Sequence, residues 1–131
     1  MVAASVSALP NTTNGECITG KPLEVRQVCG YVMWKKAGAW RSKLRLTSMD
    51  ASKSRPFEAV LTSDDEGRFT FKHVAKGSYG LRVTPEGMEE IPVPVLLNVR
   101  HSQDETVCKN AIALTIDSLP ELCVTYELEK H

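Results

Sequence analysis

Both tryptophans of the chain and three cations lie in one short segment: Trp34, Lys35, Lys36, Trp40 and Arg41. Indole rings pack against sugar faces and anchor protein partners, and neighbouring cations add charged hydrogen bonds. The segment is therefore a candidate ligand-binding site, with another protein or a glycan as the partner. The alternative is structural, with the indoles closing the open end of the fold and the lysine stems lying over them.

Four cysteines are the second candidate for chemistry: Cys17, Cys29, Cys108 and Cys123. Their even number and the lack of Cys-x-x-Cys spacing favour disulfides over a zinc site, and so predict a secreted or periplasmic protein. By alternation, Cys29 and Cys123 fall on the outer faces of their strands. We expect Cys17 or Cys29 to tie the N-terminal segment to the C-terminal one. A Cys108–Cys123 pair is disfavoured, because a hairpin turning at 117–120 would hold them too far apart.

Common catalytic motifs are absent from the sequence. It has no Gly-x-Ser-x-Gly, no His-Glu-x-x-His and no phosphate-binding glycine loop. The histidines His73, His101 and His131 are too far apart in sequence to form a typical metal-binding pair. Three acids at 64–66 offer oxygens to calcium, but such a turn without further ligands is typical of a solvated hairpin tip. We therefore predict a protein that is not an enzyme, with no metal site and no cofactor.

Charge and hydropathy narrow the class of partner. Of 131 residues, Lys plus Arg and Asp plus Glu number 16 each, so the formal net charge is zero. A nucleic-acid binder usually has a basic excess, so no nucleic-acid partner is predicted. No apolar run approaches the ~18 residues that cross a bilayer, so no membrane span is predicted either.

The chain is predicted to hold one domain, over 22–131, behind a flexible lead-in at 1–21. Val6-Ser7-Ala8 has the spacing of a signal-peptidase site, but the charged start and long apolar stretch of a signal peptide are missing. The lead-in is interpreted as a leader remnant or as a plain flexible N-terminus.

From Leu23 onward, apolar residues recur at every second position. This alternation predicts half-buried antiparallel strands, and their spacing predicts an all-β sandwich of seven or eight strands. The run 64–67 is expected to be a hairpin turn, and the window 48–55 a loop. Pro92 and Pro94 predict an edge strand or an irregular strand start. Six residues are expected to face inward and pack together: Leu44, Leu46, Phe69, Phe71, Tyr79 and Leu81.

Two motifs carry a resemblance to a known family. Thr62 to Phe71 fits Thr-x-x-x-x-Gly-x-Phe-x-Phe, and Val74 to Val83 fits Val-x-x-Gly-x-Tyr-x-Leu-x-Val. Together with the strand Val28 to Val32, they resemble the carboxypeptidase regulatory-like domains, which have a prealbumin-like (transthyretin-like) sandwich. The resemblance implies a non-catalytic module of an exported, often bacterial, protein, used for binding or as a spacer. The four cysteines are not part of the motif, and Cys29 stands at a position of the opening strand where the motif specifies no residue.

Overall fold

The computed structural model describes residues 21–35, 37–49, 57–100, 107–117 and 122–129. Within these ranges the chain forms ten β-strands and no helix. The strands are β1 (Leu23–Val25), β2 (Val28–Trp34), β3 (Gly38–Ala39), β4 (Ser42–Ser48), β5 (Glu58–Thr62), β6 (Arg68–Phe71), β7 (Gly77–Pro85), β8 (Val95–Val99), β9 (Ile112–Asp117) and β10 (Cys123–Leu128).

The strands form two five-stranded sheets, which confirms the all-β sandwich. The first sheet has the order β10-β9-β2-β3, with β6 also paired to β2, and the second has the order β1-β8-β7-β4-β5. There are more strands than predicted because β1 and β3, with three and two residues, are too short for alternation to reveal. Two pairings, β2 with β9 and β1 with β8, are parallel, whereas the sequence predicted antiparallel strands. The sequence pattern could not show this, because alternation indicates which face a side chain occupies and not the direction of the strand.

The core lies between the two sheets and contains all six residues predicted to face inward. Leu44, Leu46 and Leu81 are fully buried, and Phe69 packs edge-on against Phe71 with ring centroids 6.2 Å apart. The strands β4, β6 and β9 bury alternate residues, which confirms for them the face assignment derived from the sequence.

The turn at 64–67 does not form a hairpin, which corrects the sequence prediction. It joins β5 of the second sheet to β6 of the first, and these two strands do not pair. One carboxylate oxygen of Asp64 accepts the backbone N–H groups of Glu66 and Arg68, at 2.9 and 2.8 Å. The residues at 64–67 therefore predict the turn itself, but they do not reveal whether the strands on either side of it pair with each other.

The prolines at 92 and 94 precede β8, which begins at Val95. Of the two alternatives, the irregular strand start is the one found, since β8 lies between β1 and β7 rather than at a sheet edge. A proline cannot donate to a strand ladder, so both lie before the paired residues.

Candidate binding site at the tryptophan end

The short β2–β3 hairpin positions the two tryptophans. Trp34 lies opposite Gly38 in the register, and the backbone N–H of Trp40 donates to the carbonyl of Val32 at 3.0 Å. Gly38 adopts a φ of 85°, a left-handed conformation that suits glycine in so tight a turn. Alternation along β2 places Trp34 on the same face as the buried Val32, so the indoles project toward the core side at one end of the sandwich.

The two indoles contact each other. Their ring centroids are 5.3 Å apart with an angle of 41° between the planes, and both rings pack against the hydrophobic core while remaining half-buried. The Nε1 atom of Trp40 is buried, and no hydrogen-bond partner for it is found in the described part of the chain. The pair thus covers the end of the core and leaves part of its aromatic surface exposed.

The cations of the segment are directed to different acidic partners. Lys35 Nζ lies 3.2 Å from Asp117 Oδ2, and Arg41 Nη1 lies 3.5 Å from Asp65 Oδ1. Three of these four side chains are more than half exposed and Asp117 is 28% exposed, so both pairs are weak contributors to stability. Lys36, also predicted as a site residue, lies outside the described residues. The structure thus brings Trp34 and Trp40 into contact, whereas Lys35 and Arg41 pair with different acidic residues and do not meet at a common site.

A cavity beside Arg41 was missed by the sequence analysis. It has a volume of about 180 Å³, and its lining includes Arg41, Lys43, Thr62, Thr84 and the 85–88 turn. Alternation on β4 does place Lys43 on the outer face, but the threonines that flank it come from β5 and β7. Their approach depends on the strand register, which a single sequence does not specify.

An ion-pair network lies next to this cavity on the same sheet face. Arg45 stands directly opposite Arg82, and like charges in such a pair repel. The carboxylate of Glu90 accepts two hydrogen bonds from Arg45, at 2.9 and 2.8 Å, and Glu58 accepts a third at 3.3 Å. The bonds from Arg45 hold the pKa of Glu90 below its ordinary value, against the opposing effect of burial. Glu90 thereby anchors the segment after β7 to the outer face of the sheet.

Cys29 forms a disulfide with Cys108, which confirms a long-range link between the N-terminal and C-terminal parts of the chain. Cys29 shares a strand face with the exposed Met33, as predicted, but it is itself fully buried. The segment around Cys108 is held beside it, because the Gln27 side chain donates to the carbonyl of Val107 and accepts the N–H of Lys109. Alternation therefore predicts the face of Cys29 correctly, but it cannot show what covers that face.

The other two predicted disulfide residues are Cys17 and Cys123. Cys123 is disulfide-bonded as well, and the described part of the chain contains no free cysteine. Cys17 lies outside the described residues. In the β9–β10 hairpin, Cys123 is opposite Asp117 and Ile112 is opposite Leu128, so this register agrees with the argument against a Cys108–Cys123 pair.

Over the described ranges, no group of three or more His, Cys, Asp or Glu side chains is arranged to hold a metal ion. The same ranges contain no helix that is long and apolar enough to span a membrane. Comparison with protein-family models, with curated proteins and with solved structures finds no match.

Proposed function

We propose that this chain is a non-catalytic binding or structural module of a secreted or periplasmic protein, and that it belongs with the carboxypeptidase regulatory-like domains. The observation that carries the proposal is the disulfide that joins the fully buried Cys29 to the half-buried Cys108. Disulfides of this kind form and persist in oxidising compartments and are rare in the cytosol.

The residues on which the family resemblance rests have consistent structural roles, which supports the proposal. Phe69 and Phe71 are buried on β6, and Tyr79 and Leu81 are buried on β7. Gly67 adopts a φ of 78° in the preceding turn. The motif residues thus lie in the core and in a turn. Residues in such positions specify the fold of a module and do not identify its ligand.

Producing the protein in an oxidising and in a reducing compartment tests whether it belongs to an oxidising one. The full chain is made in a bacterial periplasm and, separately, in a reducing cytosol, and free thiols and urea unfolding are measured without added reductant. We expect disulfide-bonded protein from the periplasm, and a less stable product with free thiols from the cytosol. Equal stability of the two products, with thiols free in both, would contradict the proposal.

The alternative is a carbohydrate-contacting domain that uses the Trp34–Trp40 pair. This alternative is favoured by the aromatic surface that the pair leaves exposed, with Lys35 and Arg41 next to it in sequence. Flat aromatic faces with nearby charged donors suit a sugar ring.

Tryptophan emission separates the carbohydrate alternative from an indole pair that only covers the core. A glycan that binds there should shift the emission of the native chain, and Trp34→Phe or Trp40→Phe should reduce the shift while preserving an aromatic ring in the core. Blue-shifted emission that no glycan changes would assign the pair a purely structural role.

A further inference from the structure

The cavity beside Arg41 presents a row of hydrogen-bond donors. Lys43 of β4 lies directly between Thr62 of β5 and Thr84 of β7 in the strand register. Because neighbouring strands are about 4.8 Å apart, these three residues form a row across three strands, with one ammonium and two hydroxyl groups among their side chains. Arg41 lies two residues before Lys43 and also lines the cavity, so a second cation borders the same space.

The charges at this cavity are only partly compensated. Lys43 has no ion pair in the described part of the chain. Arg41 is paired with Asp65, whose side chain is 92% exposed, so this contact exchanges readily with water or another anion. Glu86 also lines the cavity, but its side chain is exposed. The lining therefore holds two cations and one carboxylate, while Asp65 pairs with Arg41 and the charge of Glu90 acts on Lys43 without forming an ion pair.

The neighbouring position on β4 shows how the same sheet face satisfies a cation. Two residues beyond Lys43, Arg45 is opposite Arg82, and the carboxylate of Glu90 accepts two hydrogen bonds from Arg45. Lys43 occupies the corresponding outward position and has hydroxyl groups on both sides instead. Glu90 acts on Lys43 through its charge alone, so an external carboxylate or sulfate at Lys43 would supply the direct hydrogen bonds that Glu90 gives to Arg45.

We propose that this cavity binds a compact oxyanion, a carboxylate or sulfate group, carried on a single sugar residue. The volume of about 180 Å³ is smaller than the roughly 300–1,000 Å³ of sites for drug-sized ligands, so the bound group must be small. Pro85 and the partly exposed Met88 line the same cavity and offer apolar contact to the ring of a sugar. The inference rests on the proposed role as a binding module and names the ligand chemistry.

Amide chemical-shift titration of the full chain tests the inference. Glucuronate, acetate and sulfate are added separately at constant ionic strength, with glucose as the uncharged probe. We expect glucuronate and sulfate to shift the amide signals of Lys43, Thr62 and Thr84, and glucose to leave them unchanged. Glucuronate binding more tightly than acetate assigns the sugar ring a contact, whereas equal affinities would restrict the site to the anion and overturn the sugar part.

Two matched variants decide whether Lys43 is the anion ligand. Lys43→Gln should weaken binding about tenfold to a hundredfold, the effect of losing one charged hydrogen bond. Lys76→Gln, at an exposed lysine just before β7, should leave the affinity unchanged. Equal losses in both variants, or no anion-dependent shift at the cavity, would overturn the inference. If the tryptophan emission then still shifts on adding neutral glycans, the carbohydrate-contacting function is supported and only this anion site is ruled out.

Discussion

Cys29 and Cys108 are joined by a disulfide, with their Cα atoms 6.0 Å apart, although 79 residues separate them in the sequence. Cys29 is on β2, and Cys108 shortly precedes β9, the parallel neighbour of β2 in the same sheet. Parallel strands need a long crossover between them, and here nearly the whole second sheet is formed within it. The disulfide therefore fixes the return of the chain to its starting sheet.

Removing this link should lower stability substantially. In the chain-entropy treatment, closing a loop of about 80 residues stabilises the fold by about 4–5 kcal/mol, less any strain. The double variant Cys29→Ser with Cys108→Ser should lose about this free energy of unfolding in urea, measured against the oxidised native chain. A loss below about 1 kcal/mol would show that the link contributes little to the stability of the fold.

All four cysteines should be oxidised in the native protein. Thiol titration of the unfolded, unreduced chain should therefore find no free thiol, and non-reducing peptide mapping should recover a Cys29–Cys108 pair. Because Cys123 is disulfide-bonded and the chain has four cysteines, mapping should also link Cys123 to Cys17. A peptide joining Cys108 to Cys123 would contradict both the β9–β10 register and the observed pairing.

Truncation of a core aromatic tests the strand faces. Phe71 is 8% exposed and packs against Phe69, so Phe71→Ala should cost about 3–5 kcal/mol in urea unfolding. Thr70→Ala, at the exposed neighbour on the same strand, should change stability by less than about 0.5 kcal/mol. A similar effect of the two substitutions would mean that the face assignment of β6 is wrong.

Most of the fold follows from the sequence, whereas most of the candidate site does not. Alternation identifies the buried faces of β4 and β7 because each side chain's face depends only on its own strand. The row formed by Lys43, Thr62 and Thr84, and the opposition of Arg45 and Arg82, require the register of three strands. That register is set by tertiary packing between distant segments, so residues that look independent in sequence meet only in the folded chain.

Two glycines with positive φ should respond differently to alanine. Gly67 has a φ of 78°, and an added Cβ would lie 2.3 Å from the carbonyl oxygen of Val32. Gly87 has a φ of 85° with open space around it, so Gly87→Ala should cost only the strain of the left-handed conformation, about 1–2 kcal/mol. Gly67→Ala should cost clearly more in thermal or urea unfolding, since a backbone atom must also move. Equal losses of stability in the two variants would show that the turn backbone moves away from β2 at no cost in free energy.

The stability of the fold should depend on pH in the alkaline range through Tyr31. Tyr31 on β2 donates its hydroxyl hydrogen to Glu129, the residue that follows β10. The hydrogen bond, aided by burial and by the charges of Glu129 and Glu127, raises the pKa of Tyr31 from 10.0 to about 12. The folded state therefore keeps this proton more tightly than the unfolded state does. The contribution of this hydrogen bond to the free energy of unfolding is present in full below pH 10 and is lost as the pH rises toward 12.

Tyr31→Phe removes this contribution, so its free energy of unfolding should decline less between pH 10 and 12 than that of the native chain. Ultraviolet titration of tyrosinate should show, in parallel, that the substitution eliminates a group that ionises near pH 12. Glu129→Gln provides the control, because it retains a hydrogen-bond acceptor for Tyr31 without the negative charge and should shift the tyrosinate titration to lower pH. Identical alkaline unfolding of the native chain and Tyr31→Phe would show that the bond to Glu129 does not persist in solution.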